Sequence, residues 1–518
     1  KKRKMHFLIA LSVLFVIRVL SALRNGISDC DETYNYWEAA YLVSGGKNGF
    51  QTWEYAPMYA LRSWSFVLPY GLFAKAMGMI GTRAFALCLP SAFAEAALVT
   101  ACTKKFDAFW TTLVLLVSSP GLFISSASLL PSSVALTLAC AQHASWLQGN
   151  WRISIWFAVL AVLWPGWPFI ALLFLPFAIE TIFTQPLLHV IKHGLLAGFF
   201  ILLPVYVIDA IFYGSVAVSP LLNIFKYNAL AGDDQLYGVE PASYYAKNLV
   251  LNLTPFVVVA ALVAPLTNLF AARQLAPAIV WLATLLARPH KEERFTYPAY
   301  ASFIVAAAIS IRQMPKVLRL IVLILIAFFG YIRISALDLY YWQPQLAVWR
   351  AAAKEAQAHD TLICVGKEWY RYPSSYFLPD NARLAFVESA FKGQLPRPWA
   401  SDSWHAAQNT SVNQFFNDRN LPHPERFVPL SSCHLAIDLV LDPNEPAPSL
   451  LAAMSSDKRW YQVASFPFLD ASRTSTLPRA FLIPFYSRKR AIFAPYILYS
   501  TLVSDNEEYA AVANNTEE

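Results

Sequence analysis

Residues 1–24 read KKRKMHFLIALSVLFVIRVLSALR, and this stretch decides the fold class. Four residues rich in Lys and Arg precede an apolar run from Met5 to Leu23, whose roughly 19 residues suit one crossing of a ~30 Å hydrocarbon core. The run is longer than the apolar part of a cleavable signal peptide, and no Ala-x-Ala site follows it. It therefore reads as a retained first helix, with the N-terminus cytoplasmic and the segment from Asn25 on the far side of the membrane.

The remainder agrees with a membrane reading. Of 518 residues, 57% are hydrophobic, 15% aromatic and only 14% charged, which excludes a disordered, collagen-like or ordinary soluble chain. Lys plus Arg (40) against Asp plus Glu (33) leaves a net charge of +7. That excess is scattered through short loops, which suits orientation in a bilayer and argues against a nucleic-acid partner.

Further apolar runs begin near Trp64, Ala84, Phe109, Ser132, Ile153, Val190, Leu249, Ala276, Thr296 and Val317, predicting about eleven transmembrane helices and a C-terminus on the far side. By this count Ala272-Arg273 and Arg312 to Arg319 are cytoplasmic, as basic residues should be, whereas Lys104-Lys105 falls on the far side against that rule. Ser118-Ser119-Pro120-Gly121 and Trp164-Pro165-Gly166-Trp167-Pro168 should break or kink helices within the bundle. Two far-side loops, 24–63 and 215–248, are rich in aromatics and acids and should form short interfacial helices over a site.

Past Ser335 the hydropathy falls. A helical stretch over Val348–His359 and β-like runs at Leu362–Val365, Leu435–Leu441, Ala480–Pro484 and Ala491–Tyr499 predict a soluble α/β domain over 336–518, following a membrane module over 1–335. The six cysteines show no C-x-x-C pair. Cys364 and Cys433 are open to two readings, a bridge in an oxidising compartment or a pair of free thiols. Asn409-Thr410-Ser411 is a glycosylation sequon compatible with a lumen.

Three constellations could carry chemistry. Asp29-Cys30-Asp31-Glu32 crowds three acids at a membrane surface, where like charge and desolvation raise a carboxyl pKa and prepare a general base; the bland alternative is a helix-capping turn. Asp29-x-Asp31 also matches half of a divalent-cation motif, but further oxygen ligands at suitable spacing are missing, so no metal is expected. Arg288-Pro289-His290-Lys291-Glu292-Glu293-Arg294-Phe295 packs six ionisable groups into seven residues between apolar runs, a means of holding a phosphate; the alternative is a snorkelling anchor. Gln51-Thr52-Trp53-Glu54-Tyr55, with Arg62, has the composition of a sugar-facing surface and equally of an aromatic belt. His189-x-x-x-His193 has helical ligand spacing but no third ligand, and reads as structural.

His290-Lys291-Glu292-x-Arg294-Phe295 resembles the signature of glycosyltransferase family 22, membrane mannosyltransferases of the GT-C fold. Also similar are Ser28 to Thr33 with Asn35-Tyr36-Trp37-Glu38, Phe50 to Tyr55, Ala287-Arg288-Pro289, Cys364 to Arg371 and Pro467 to Arg473, so the resemblance spans nearly the whole chain. One departure is Ala39, where proline is usual, and it touches no chemistry. The stretches at Asn35–Glu38 and Gly366–Trp369 favour the α-1,2-acting members.

The resemblance implies a multi-pass endoplasmic-reticulum enzyme with a luminal active site and C-terminal domain. It would be an inverting enzyme, adding the seventh and ninth mannoses from dolichyl-phosphate mannose to a dolichyl-diphosphate-linked oligosaccharide in N-glycan precursor assembly. It implies Asp31 as base with Glu32 second, and His290, Lys291, Arg294 and Arg62 on the donor phosphate. Trp37, Glu38, Trp53, Glu54 and Glu292 would face the acceptor sugar, and no cofactor is expected. The competing readings are a lipid-sugar transporter, an inactive scaffold, and relatives acting on the GPI anchor or the α-1,6 branch.

Overall fold

The computed structural model describes residues 2–231, 234–358, 360–442, 450–455 and 457–502. Lys2–Arg24 forms one helix, as its composition dictates. Among the described residues, five helices are long and apolar enough to cross a membrane, or six when Ser243–Leu253 and Pro255–Thr267, bent by 109°, count as one span. Phe109–Ser118, Trp151–Leu163 and Pro168–Thr184 are shorter apolar helices in the same bundle.

Side-chain contacts fix which end of the bundle each helix meets. His6 stacks on Phe109 at the end where the first helix starts. At its other end, Ser21 Oγ donates to the Phe123 carbonyl and Asn25 Nδ2 to that of Ile124. Arg83 Nη1 donates to the Asn25 carbonyl at 3.0 Å, so the helical run from Arg83 through Leu89–Phe106 descends antiparallel to the first helix. This corrects two sequence expectations. Lys104 and Lys105 lie at the same end as Lys4, in keeping with their charge. The apolar segment from Trp64 does not cross, because it begins and ends at the loop-bearing end. Its regular part stops at Gly78, where φ is +69°, a conformation that glycine adopts without a Cβ clash. The segment packs on Glu38–Ser44, Trp164 and Phe212, and exposes Leu72, Phe73 and Met77, as an interfacial helix should. Of the break or kink expected at Pro165 to Pro168, the structure shows a break, in the form of a reversal: Trp164 Nε1 reaches the Ser65 carbonyl at one end, whereas Glu180 pairs with Arg273 at the other.

Among the described residues, one ion pair is fully enclosed in the bundle. Arg18 and Glu95, 0% and 2% exposed, meet at 2.7 Å, and Arg18 Nη2 also donates to the Leu116 carbonyl at 2.9 Å. A charge this deep is tolerable only when paired and hydrogen-bonded, so the pair sets the register of the two helices.

Beyond the bundle, Lys316–Leu337 runs without a linker through a π-helical turn, Asp338–Trp342, into Gln343–Glu355. His359, the expected end of that last helix, lies outside the described residues. The domain's sheet has the order Ala382–Phe386, Thr361–Val365, Leu435–Leu439, Phe493–Ser500, Tyr461–Leu469, with the first three strands parallel and the last two antiparallel to their neighbours. Ala480–Pro484 is not a strand: a short helix, Thr476–Ala480, passes into a loop there. Cys364 and Cys433 are bonded, with Cα atoms 5.9 Å apart, joining the strand Thr361–Val365 to the loop that precedes Leu435–Leu439 across a sequence separation of 69.

Candidate active site

The first loop is an ordered structure at the loop-bearing end. Asp29 Oδ1 accepts from the backbone N–H groups of Asp31 (2.9 Å) and Glu32 (3.4 Å), which is the cap that starts a helix. A π-helical turn, Glu32–Trp37, then continues as Glu38–Ser44 and ends at Gly45 with φ +91°. The wider turn rotates successive side chains differently from an α-helix. Asp31 consequently faces open space while most of its acidic and aromatic neighbours are buried.

Those buried neighbours correct three expectations. Glu32 is enclosed, accepting from Trp37 Nε1 at 3.0 Å and the Leu129 N–H at 2.9 Å, so it does not share the space that Asp31 faces. Trp37 is buried edge-on to Tyr376. Glu38, fully buried, accepts from Phe50 N, Ser374 Oγ and both Ser375 N and Oγ at 2.7–3.0 Å. Neither Trp37 nor Glu38 can touch a sugar. Together with Thr33 Oγ1 to the Tyr372 carbonyl and Tyr34 Oη to that of Trp369, they fasten the helix to the C-terminal domain.

What converges on Asp31 comes from far away in sequence. Arg294 Nη2 donates to Asp31 Oδ2 at 2.6 Å, Arg294 Nε stands 3.3 Å from Asp29 Oδ2, and Arg294 also pairs with Glu292. Arg62 clamps Glu54 with two bonds of 2.8 Å, donates to Tyr36 Oη at 2.6 Å, and leaves Nη2 3.7 Å from Asp31 Oδ2. His290 Nε2 lies 2.8 Å from Glu292 Oε1. Lys291 turns away from the acids and donates to the Arg288 and Pro289 carbonyls. Trp53 packs against Tyr59 and Tyr227 and keeps an accessible face beside Glu54.

The second loop straps the basic motif. Its Gly238 carbonyl meets His290 Nδ1 at 3.0 Å, Glu240 N donates to the Pro289 carbonyl at 3.2 Å, and Arg288 Nη2 donates to the Asn228 carbonyl at 2.9 Å. These backbone contacts, and Tyr36, carry no signal in residue type. The composition of the loop was the only pointer to them.

The electrostatics separate the two aspartates. For Asp29, burial and the neighbouring Glu292, Asp31 and Glu32 charges outweigh Arg294 and push its carboxyl up to about 7. Burial also acts on Asp31, but Arg294 and Arg62 outweigh it and hold the carboxyl below its ordinary value. Burial opposes charge on His290, yet the Glu292 carboxylate raises it more. A pair of carboxyls driven apart in this way can divide proton acceptance from charge balance. Among the described residues, no group of three or more His, Cys, Asp or Glu side chains is placed to hold a metal ion.

The structure thus brings acids and guanidiniums together at one end of a helical bundle, beside an α/β domain, and the sequence comparisons make the chain a glycosyltransferase. The chain belongs to the Alg9-like mannosyltransferase family, whose sequence profile matches residues 9–379. It is 34% identical to the human alpha-1,2-mannosyltransferase ALG9, over 94% of this chain and 88% of that protein. It is 33% identical to the Schizosaccharomyces pombe alpha-1,2-mannosyltransferase alg9, over 94% of each. The fold is similar to the crystal structure of ArnT from Cupriavidus metallidurans bound to undecaprenyl phosphate, with a TM-score of 0.58 at 11% identity, covering 96% of this chain and 98% of that one.

Proposed function

We propose that the protein is an inverting α-1,2-mannosyltransferase that moves mannose from dolichyl-phosphate mannose to a dolichyl-diphosphate-linked oligosaccharide, adding the seventh and ninth mannoses of the N-glycan precursor. The observation that carries this reading is the 2.6 Å contact of Arg294 with Asp31, which joins the acidic loop to the basic motif across a separation of 263 residues. Undecaprenyl phosphate on ArnT, the structural relative, supports a lipid phosphate as the leaving group. The bundle is read as about eleven crossings, with the Lys4 end cytosolic and the loops, site and C-terminal domain in the lumen of the endoplasmic reticulum.

The chemistry is a single displacement. The acceptor hydroxyl oxygen attacks the anomeric carbon and the bond from that carbon to the phosphate oxygen breaks. Dolichyl phosphate leaves with the electron pair, and the hydroxyl proton passes to the Asp31 carboxylate. Attack opposite the leaving group converts a β-linked donor into an α-linked product. Asp31, held below its ordinary value, is ionised and ready to accept; Arg294 and Arg62 are placed to exchange carboxylates for the departing phosphate, aided by His290. Lys291 would contribute only after release from its two carbonyls. Trp53, Glu54 and Glu292 are the side chains left to meet the acceptor sugar, and cationic neutralisation of the leaving group requires no metal.

Purified protein with labelled dolichyl-phosphate mannose and defined six- or eight-mannose acceptors tests the reading. Transfer forming an α-1,2 linkage, undiminished by chelator, is expected. Absence of transfer to both acceptors would refute the assigned substrates. Loss on chelation, restored by a divalent ion, would refute the metal-free mechanism.

A further inference from the structure

We propose that residues Leu477–Arg490 of the C-terminal domain form a wedge that enters the membrane interface and binds the phosphates of anionic phospholipid headgroups. The first observation is depth. Leu482 N donates to the Ile332 carbonyl at 2.9 Å, Arg333 Nη1 to the Ala480 carbonyl at 3.1 Å, and the Phe481 ring lies 5.8 Å from that of Phe329. Those partners belong to the apolar helix Lys316–Leu337. Counted from Lys316, Phe329 and Ile332 stand about 20 and 24 Å along the axis at ~1.5 Å per residue. Against a hydrocarbon core of ~30 Å, the loop therefore meets the span below the membrane surface rather than above it.

The second observation is that the loop closes on hydrogen bonds of its own around Ser487, as apolar surroundings favour. Ser487 is buried; its Oγ donates to the Phe481 carbonyl at 2.6 Å and accepts from Ile483 N at 2.9 Å. Its carbonyl accepts from Arg490 N and Ala491 N, and Pro484 has no N–H to satisfy. The tip, Phe485, is 89% exposed with φ +60°, a strained placement for an aromatic side chain that water alone would not reward. Tyr331 on the adjoining helix is also open, at 71%.

The third observation is charge. Arg473, Arg479, Arg488, Lys489 and Arg490 fall within 18 residues, and no acid occurs from Ala471 to Val503. Among the described residues, Arg479, Arg488, Lys489 and Arg490 pair with no carboxylate, and Arg490 lies over the Tyr486 ring at 4.2 Å. Arg333 Nε, nearby on the span, is buried without a partner. Unpaired cations around an aromatic tip at interface depth match the chemistry of phosphate headgroups, the bilayer's own anions.

The test uses the full chain in nanodiscs of phosphatidylcholine with or without phosphatidylserine. A photoreactive benzoylphenylalanine at Phe485 is expected to yield lipid adducts. The same group at Arg459 is expected to yield none, because the Tyr461–Leu469 strand carries that end roughly 26 Å from Leu469, which packs on Ala336 and Tyr340 of the helical run. Native mass spectrometry should find phosphatidylserine enriched on the wild type. The enrichment should fall about fivefold per charge removed in the Arg488→Gln/Lys489→Gln/Arg490→Gln variant, with unfolding temperature unchanged. Should that variant fail to fold, Phe485→Asp gives the second reading by loss of the phosphatidylserine enrichment. Adducts to water or protein alone at Phe485, or equal enrichment in wild type and variant, would overturn the proposal.

Discussion

Two clusters of opposite charge share this molecule, and they are built differently. Arg18 and Glu95 are one cation and one anion, dry and enclosed, with every contact at fixed helix positions. At the loop-bearing end Arg294 and Arg62 are shared among Asp29, Asp31, Glu54 and Glu292, and Asp31 is 31% exposed. The first cluster is a one-to-one pair, 0% and 2% exposed, and presents nothing to a ligand. The second holds excess negative charge around two cations, so an incoming phosphate competes with carboxylates already in place. Enclosed one-to-one pairing marks structure, and competition marks a site.

The contrast is tested most severely at Asp31. Asp31→Asn should lower turnover roughly 10²- to 10⁴-fold with the fold intact, because Asp29 rather than Asp31 supplies the helix cap. Labelled-mannose transfer measured alongside thermal unfolding checks this, and near-normal turnover would remove Asp31 as base. In the enclosed cluster the outcome should invert. Arg18→Leu should cost about 3–5 kcal/mol by stranding Glu95, Arg18→Leu with Glu95→Leu should recover most of it, and kcat per folded molecule should not move.

A smaller effect is expected at Arg294. Arg294→Lys keeps the charge but loses the fork that spans Asp29, Asp31 and Glu292, so the donor KM should rise by an amount worth about 1.5–3 kcal/mol. An unchanged donor KM would return the motif to a structural role.

The smallest effect concerns pH. Asp29, pushed up to about 7, is neutral below that value and ionised above it. Its ionised form competes for Arg294, so donor KM should rise a few-fold as pH passes upward through neutrality, and Asp29→Asn should flatten the rise. The same sign governs stability: a raised folded carboxyl weakens the fold as pH climbs from the unfolded value toward the folded one, and Asp29→Asn should remove that slope. A steep KM profile in the variant would reassign the titration.

Both motifs of the site were legible as text, because acids and cations at membrane edges are expensive and short of alternative explanations. Their meeting was not, since no local pattern encodes a contact between residues 31 and 294. Trp37 and Glu38 misled because they have the residue types of a sugar surface. Only the π-helical turn, invisible in the sequence, rotates them into the protein. The segment from Trp64 misled in a related way, having the hydropathy of a span but the geometry of an interfacial helix, with Lys75 and Gly78 among its signs. In the C-terminal domain the β-branched runs at Thr361 and Leu435 announced their strands. Ala382–Phe386 and Tyr461–Leu469, with charged or polar residues interleaved, did not.

The sheet order carries a consequence for biosynthesis. Phe493–Ser500, the last strand described, sits between Leu435–Leu439 and Tyr461–Leu469, so a ribosome must pass Ser500 before the sheet can close. Ser374, Ser375 and Tyr372, which hold the helix bearing Asp31, belong to that late-made domain. The acidic loop is translated early and then waits more than three hundred residues for its clasp. Until that domain is made, Asp31 sits on a helix without these clasps.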